Sequence, residues 1–187
     1  MIVMPAGAGK PGIIEPIRRA FESDRVTEIA KTLADMARHG ALDDPALFAD
    51  ARTDRYARRL IWNDPNKRFA IIAMTWAPHQ GSPLHDHSGL LGAEIVVSGA
   101  MRERTYRLVD RDDDGRCWFV RGAERVHGRG SIGTILPPLE YHEFGNDGET
   151  VAHTVHVYSG ELDRCSTYLA ESGGWWRPRS VELRYDV

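Results

Sequence analysis

Long apolar runs are missing from this 187-residue chain: no window approaches the ~18 consecutive apolar residues that cross a bilayer, so no membrane partner is expected. Cysteine is scarce. Cys117 and Cys165 are too few for a disulfide framework, and the stretch from Met1 to Gly12 lacks the apolar core of a signal peptide, which together read as a reduced, cytoplasmic protein. Charge of one sign is missing too. The 24 Lys and Arg are spread among 27 Asp and Glu for a formal net charge of -3, leaving no basic stripe for a nucleic acid or an anionic lipid surface. Internal repeats and low-complexity tracts are absent as well. A small molecule is the partner these absences leave.

What is present suits one compact core, since 42% of the residues are hydrophobic. Residues 1–13 are too rich in Gly and Pro for a regular element and read as an arm. From Glu22 to His39, Val26, Ile29, Ala30, Leu33, Ala34 and Ala37 recur at helical spacing, with Ser23 or Asp24 as N-cap and Gly40 as the stop. A second short helix is expected over Pro45–Ala51. From Tyr56 the pattern changes to short alternating or continuously apolar runs, read as strands at Tyr56–Trp62, Phe69–Ala77, Pro83–His87, Ala93–Ser98, Met101–Leu108, Cys117–Arg121, Glu124–His127, Ser131–Leu136, His142–Phe144, Ala152–Tyr158 and Arg164–Tyr168. Turns such as Ser98-Gly99, Asp114-Gly115 and Asn146-Asp147-Gly148 favour an antiparallel sandwich or small barrel. Residues 1–55 are then an arm and helices packing on a barrel of residues 56–187, one structural domain overall.

The chemistry concentrates in Gly81-Ser-Pro-Leu-His85-Asp-His87, followed 55 residues later by His142. On a strand His85 and His87 share a face while Asp86 points the other way. Three neutral imidazoles are a set that a first-row divalent metal accepts, with positions left open for substrate. A metalloenzyme is the expectation. Other patterns fail on spacing. His142-Glu143 has Asn146, not His, four residues on, and Asp110–Gly115 begins like a calcium loop but carries Arg121 at its twelfth position. His39, His79, His127 and His153 read as structural or solvent-facing, and Trp175-Trp176 as plain packing.

The ordered set of motifs resembles the cupin superfamily, and within it the thiol dioxygenases, cysteine dioxygenase above all. Trp76–His87 is similar to that family's first metal motif, and His142-Glu-Phe-Gly-Asn146 to its second. Thr154-Val-His156-Val-Tyr158 resembles its hydroxyl, histidine and tyrosine relay, and Asp163-Arg-Cys165 the stretch after it. Tyr56-Ala-Arg58 sits where the family places a tyrosine and the arginine that binds the substrate carboxylate. The resemblance covers roughly residues 56–168. It implies a double-stranded β-helix, Fe(II) held by His85, His87 and His142, catalytic Tyr158, His156 and Thr154, and substrate binding by Arg58 and Tyr56. The implied partners are a small thiol acid and O2, the product a sulfinic acid.

Some of this chain departs from that pattern. Leu91 and Gly92 stand where an ordinary cupin adds a glutamate ligand, so the carboxylate is missing. Gly92 also replaces the cysteine that animal members cross-link to the tyrosine matching Tyr158. Glu94 is new: facing the pocket it is a third substrate-binding candidate, facing away a sheet-surface residue, and the loop after His87 leaves both registers open. A one-residue slip would likewise turn Arg59 inward in place of Arg58. Arg58 favours L-cysteine, whereas Lys67–Ile72 and Trp76–Gly81 look more like enzymes for 3-mercaptopropionate. The other readings are a different mercapto-acid such as mercaptosuccinate, a sulfur-free diketone or similar small acid, and a non-catalytic metal-binding cupin.

Overall fold

The computed structural model describes residues 12–23 and 26–186. The arm read over residues 1–13 lies almost wholly outside the described residues, as does Asp24. Two helices, α1 (Ile14–Glu22) and α2 (Val26–Arg38), precede eleven strands: β1 (Ala57–Asn63), β2 (Ala70–Trp76), β3 (Gly81–His85), β4 (Gly92–Ser98), β5 (Ala100–Arg111), β6 (Cys117–Gly128), β7 (Ile132–Ile135), β8 (His142–Gly145), β9 (Ala152–Tyr158), β10 (Arg164–Ala170) and β11 (Trp175–Glu182). The chain is mainly β with a short helical extension, as expected. One antiparallel sheet runs β1-β2-β9-β4-β7; the other, β10-β11-β6-β5-β8-β3, closes on itself through β3 and β10. No helix among the described residues is long and apolar enough to cross a membrane.

Side-chain parity explains how the five-stranded sheet builds both a core and a site. Ile71 and Ala73 on β2, Ala93, Ile95 and Val97 on β4, and Val155 and Val157 on β9 form one apolar face. Ile17, Ala20, Ile29, Leu33 and Met36 of the two helices cover it. Each Ile or Leu so buried contributes about 1.5–3 kcal/mol. The intervening residues must then face the other sheet. They include Met74, Trp76, Glu94, His156 and Tyr158, all lining one cavity.

Several boundaries differ from the sequence reading, each for a local reason. Helix α1 was not anticipated; its Pro16 falls in the first turn, where the N–H has no partner to lose. Ser23 caps the C-terminus of α1, its Oγ donating to Ala20 O at 2.7 Å, and is not an N-cap of α2. The helix expected over Pro45–Ala51 shrinks to a 3-10 turn at Pro45–Leu47. The two strands read on either side of Gly122-Ala123 are one, β6, with a bulge there. A Cβ at Gly122 would meet Thr105 Oγ1 at 2.6 Å, so glycine marks close approach and not a turn. Trp175-Trp176 opens an unforeseen strand, β11, which pairs with β10 and touches β6.

Candidate metal centre

His85 ends β3 and His142 begins β8, and the two are directly paired across those strands. His87 lies two residues past the strand end expected to hold it, in the following turn, but returns to the same point. Asp86 makes that return possible by pointing away: its carboxylate accepts from Ser88 N at 3.2 Å, Ser166 N at 2.9 Å and Tyr168 Oη at 2.9 Å. One ligand nitrogen from each of the three histidines lies within 4.8 Å of the others.

The protonation of His85 and His87 suits a metal. Burial, and then His142, push His85 down to about 3, and burial pushes His87 well below the ordinary range, so both rings keep a free lone pair. His85 Nδ1 donates to Pro83 O at 2.9 Å and His142 Nδ1 to Glu103 Oε1 at 3.0 Å, which leaves Nε2 of each as the available donor. Burial alone would lower His142, yet Glu103 and the neighbouring Glu94 raise it. The donor set therefore fits a divalent cation. Glu103 escaped sequence reasoning because nothing local links it to a residue 39 positions on; pairing of Glu103 with Phe144 and Thr105 with His142 on β5 and β8 does. Its second oxygen meets His127 Nε2 at 2.9 Å, so His127, read as structural or solvent-facing, is tied to the centre through Glu103.

The histidines open on a cavity of about 290 Å³ whose lining residues fall between Tyr56 and Leu183. Arg58 is 3% exposed and lines it, while Arg59 reaches outward to Phe48 O at 3.3 Å, so the register with Arg58 inward holds. Arg58 Nη2 donates to Leu162 O at 2.8 Å and its guanidinium lies 5.1 Å from the Tyr185 ring centroid. Its Nε and Nη1 are buried with no protein partner. Tyr185 and Asp186 were not anticipated; Asp186 Oδ2 takes Arg58 N at 2.9 Å and Arg55 Nη1 at 2.8 Å, tying the C-terminal segment to β1. Tyr56 stacks on Trp76 with centroids 4.2 Å apart. Cys165 is a wall residue whose thiol burial, and then Asp86, push up to about 11.

Tyr158 and His156 line the cavity and Thr154 stands behind His156, fully buried. Tyr158 lies against His87, ring centroids 5.8 Å apart, and burial, then Glu94, raise its phenol well above the ordinary range. A Cβ at Gly92 would meet the Tyr158 ring at 2.9 Å, so glycine here admits the tyrosine. Glu94 faces inward, 5% exposed, with Oε2 3.1 Å from His156 Nδ1. Burial pushes its carboxyl up, but His156, and then His142 and His85, hold it at about 2. Across β7, a Cβ at Gly133 would meet Glu94 Oε1 at 2.9 Å. Gly133→Val is therefore expected to push Glu94 off His156 and to cost about 1–3 kcal/mol, read as a lower denaturation midpoint. An unchanged midpoint would show slack in that row.

A family model described as cysteine dioxygenase type I matches residues 13–171. Human cysteine dioxygenase type 1 is 25% identical over 129 residues, 68% of this chain but only 62% of the human protein's length. The zebrafish (Danio rerio) protein of the same name is 24% identical over 163 residues, covering 86% of this chain and 79% of that protein. Among solved structures, a Klebsiella pneumoniae protein with a double-stranded β-helix domain superposes with a TM-score of 0.45 at 17% identity, over 61% of this chain and 85% of that one.

Proposed function

The chain belongs to the cysteine dioxygenase type I family, and on that premise we propose that it is a non-haem Fe(II)-dependent thiol dioxygenase acting on a small thiol carboxylic acid, L-cysteine before 3-mercaptopropionate. Both atoms of O2 end on sulfur, R–SH + O2 giving R–SO2H, which balances without a further reductant. The observation that carries this reading is one cavity lined by both a three-histidine cluster and a buried guanidinium with two unpartnered donors.

His85, His87 and His142 would hold the iron. When bound, the metal supplies thiolate affinity and oxygen activation that no side chain here provides. The other roles fall to the protein. Arg58 offers the substrate carboxylate a fixed positive charge and an unpartnered N–H donor, at Nε or at Nη1. Tyr56, Trp76, Leu162 and Leu183 give that guanidinium an apolar surround. Tyr158 keeps its phenolic hydrogen and presents it beside His87, where it can donate to the substrate or the departing sulfinate.

Oxygen uptake by iron-reconstituted protein with L-cysteine, 3-mercaptopropionate, mercaptosuccinate and cysteamine, each assayed for its sulfinate, tests the proposal. The expected result is uptake matched by sulfinate for the acids, fastest for L-cysteine, and little for cysteamine, which has no carboxylate for Arg58. No uptake despite bound iron would replace the enzyme with a metal-binding cupin or one for a sulfur-free acid.

A further inference from the structure

Trp76, Thr154, His156 and Glu94 form a row of buried polar groups beside the cavity. Trp76 Nε1 donates to Thr154 Oγ1 at 2.9 Å, Thr154 Oγ1 lies 2.7 Å from His156 Nε2, and His156 Nδ1 is 3.1 Å from both Glu94 Oε2 and Tyr158 Oη. The hydrogens in such a row are not free to choose. An indole N–H only donates. Thr154 is fully buried, and among the described residues its hydroxyl meets only Trp76 and His156. Were a hydrogen on His156 Nε2, the Thr154 O–H would be left buried with no acceptor, which folded proteins avoid. Thr154 therefore donates to Nε2, and the single hydrogen of the neutral ring sits on Nδ1.

That hydrogen faces two oxygens. Tyr158 Oη can only accept from it, so the phenolic hydrogen points elsewhere, and the one remaining direction of use is the cavity. Glu94 is the stronger acceptor of the pair, because a carboxylate oxygen takes a charge-assisted bond. Its place is built in: Glu94 pairs with His156 on one side and Gly133 on the other, and a side chain at position 133 would meet the carboxylate. We infer that Glu94 is a positioning residue, whose carboxylate captures the His156 Nδ1 hydrogen, fixes one tautomer of the ring and frees the Tyr158 hydroxyl to donate into the cavity. It does not receive the substrate's ammonium group.

The consequence for turnover rests on the role proposed above for Tyr158, but the tautomer does not. Protein labelled with 15N-histidine, metal-free and zinc-loaded, read by long-range 1H–15N correlation with His156→Gln as the assignment control, measures it directly. The parent protein is expected to show a neutral His156 with its hydrogen on Nδ1. Thr154→Val, in which Thr154 no longer dictates the tautomer and Glu94 is the charged acceptor at Nδ1, should keep it there; Thr154→Val with Glu94→Leu should lose it to Nε2 or to exchange between the two. A hydrogen on Nε2 or on both nitrogens of the parent protein overturns the inference without any variant needing to fold. So does a Thr154→Val ring indifferent to Glu94. In turnover, adding Glu94→Leu to Thr154→Val, where Thr154 no longer dictates the tautomer, should lower kcat about tenfold with KM unchanged. A raised KM with kcat intact would put Glu94 on the substrate and overturn the positioning role. Absence of thiol oxidation in the parent protein would remove the proposed function and leave the tautomer result standing.

Discussion

His85→Ala is expected to fold and to retain no iron. The side chain ends β3 at the cavity, half-buried, and among the described residues its only protein hydrogen bond is the one to Pro83 O. Little of the core rests on it. A metal held by three imidazoles cannot spare one: loss of an outer partner of a ligand already costs about 10–100-fold in affinity, and loss of the ligand more. Anaerobic loading, desalting and metal analysis should find iron in the parent protein and none in the variant, with the two far-ultraviolet dichroism spectra superimposable. Full iron occupancy in His85→Ala would show that the three-histidine assignment is wrong. The residue between the ligands gives the contrast. Asp86 holds Ser88, Ser166 and Tyr168, so its removal should lower the melting temperature as well as metal affinity.

That division between ligands and their supports also describes what the sequence could reveal. The His85-x-His87 spacing, the His142 motif and the Thr154-x-His156-x-Tyr158 run are each local to one chain segment, the last set by a period of two along β9. They come together in space as read. Arg58 over Arg59 was a register question, answered by which face of β1 meets Met74. Glu94 carried a signal that went unused. Ala93, Ile95 and Val97 are all apolar and alternate with it, and an amphipathic N-terminal helix needs such a face to cover, which sends Glu94 inward. Glu103, Leu162 O, Tyr185 and Asp186 had no comparable signal, since their value depends on which strands and segments become neighbours. Strand β11 was hidden by Pro178, which reads as a strand breaker; it falls beyond the two residues that pair with β6 and costs that junction nothing.

Arg58 is where binding and stability should part company. Its guanidinium is always charged, 3% exposed, and satisfied by protein only at Nη2, with no carboxylate beside it among the described residues. A buried cation with two idle donors is a cost to the fold, because replacing such a group by an apolar one of similar length removes its desolvation penalty. Arg58→Met is therefore expected to raise stability by on the order of 1 kcal/mol. The same change deletes the charge and the free donor proposed for the substrate carboxylate, and KM for L-cysteine should rise by about 10–100-fold, the loss of one charge-assisted bond, while bound iron is unchanged. Arg58→Lys should recover only part of the affinity, since an ammonium keeps the charge but not the planar set of donors. Chemical denaturation, metal analysis and steady-state kinetics on the same preparations read all three quantities. A purely structural arginine would give the reverse: lower stability in Arg58→Met with KM unmoved. An arginine that binds substrate is tolerated by the folded state at a loss, and the unpartnered donors at Nε and Nη1 are where that loss is recovered when a carboxylate arrives.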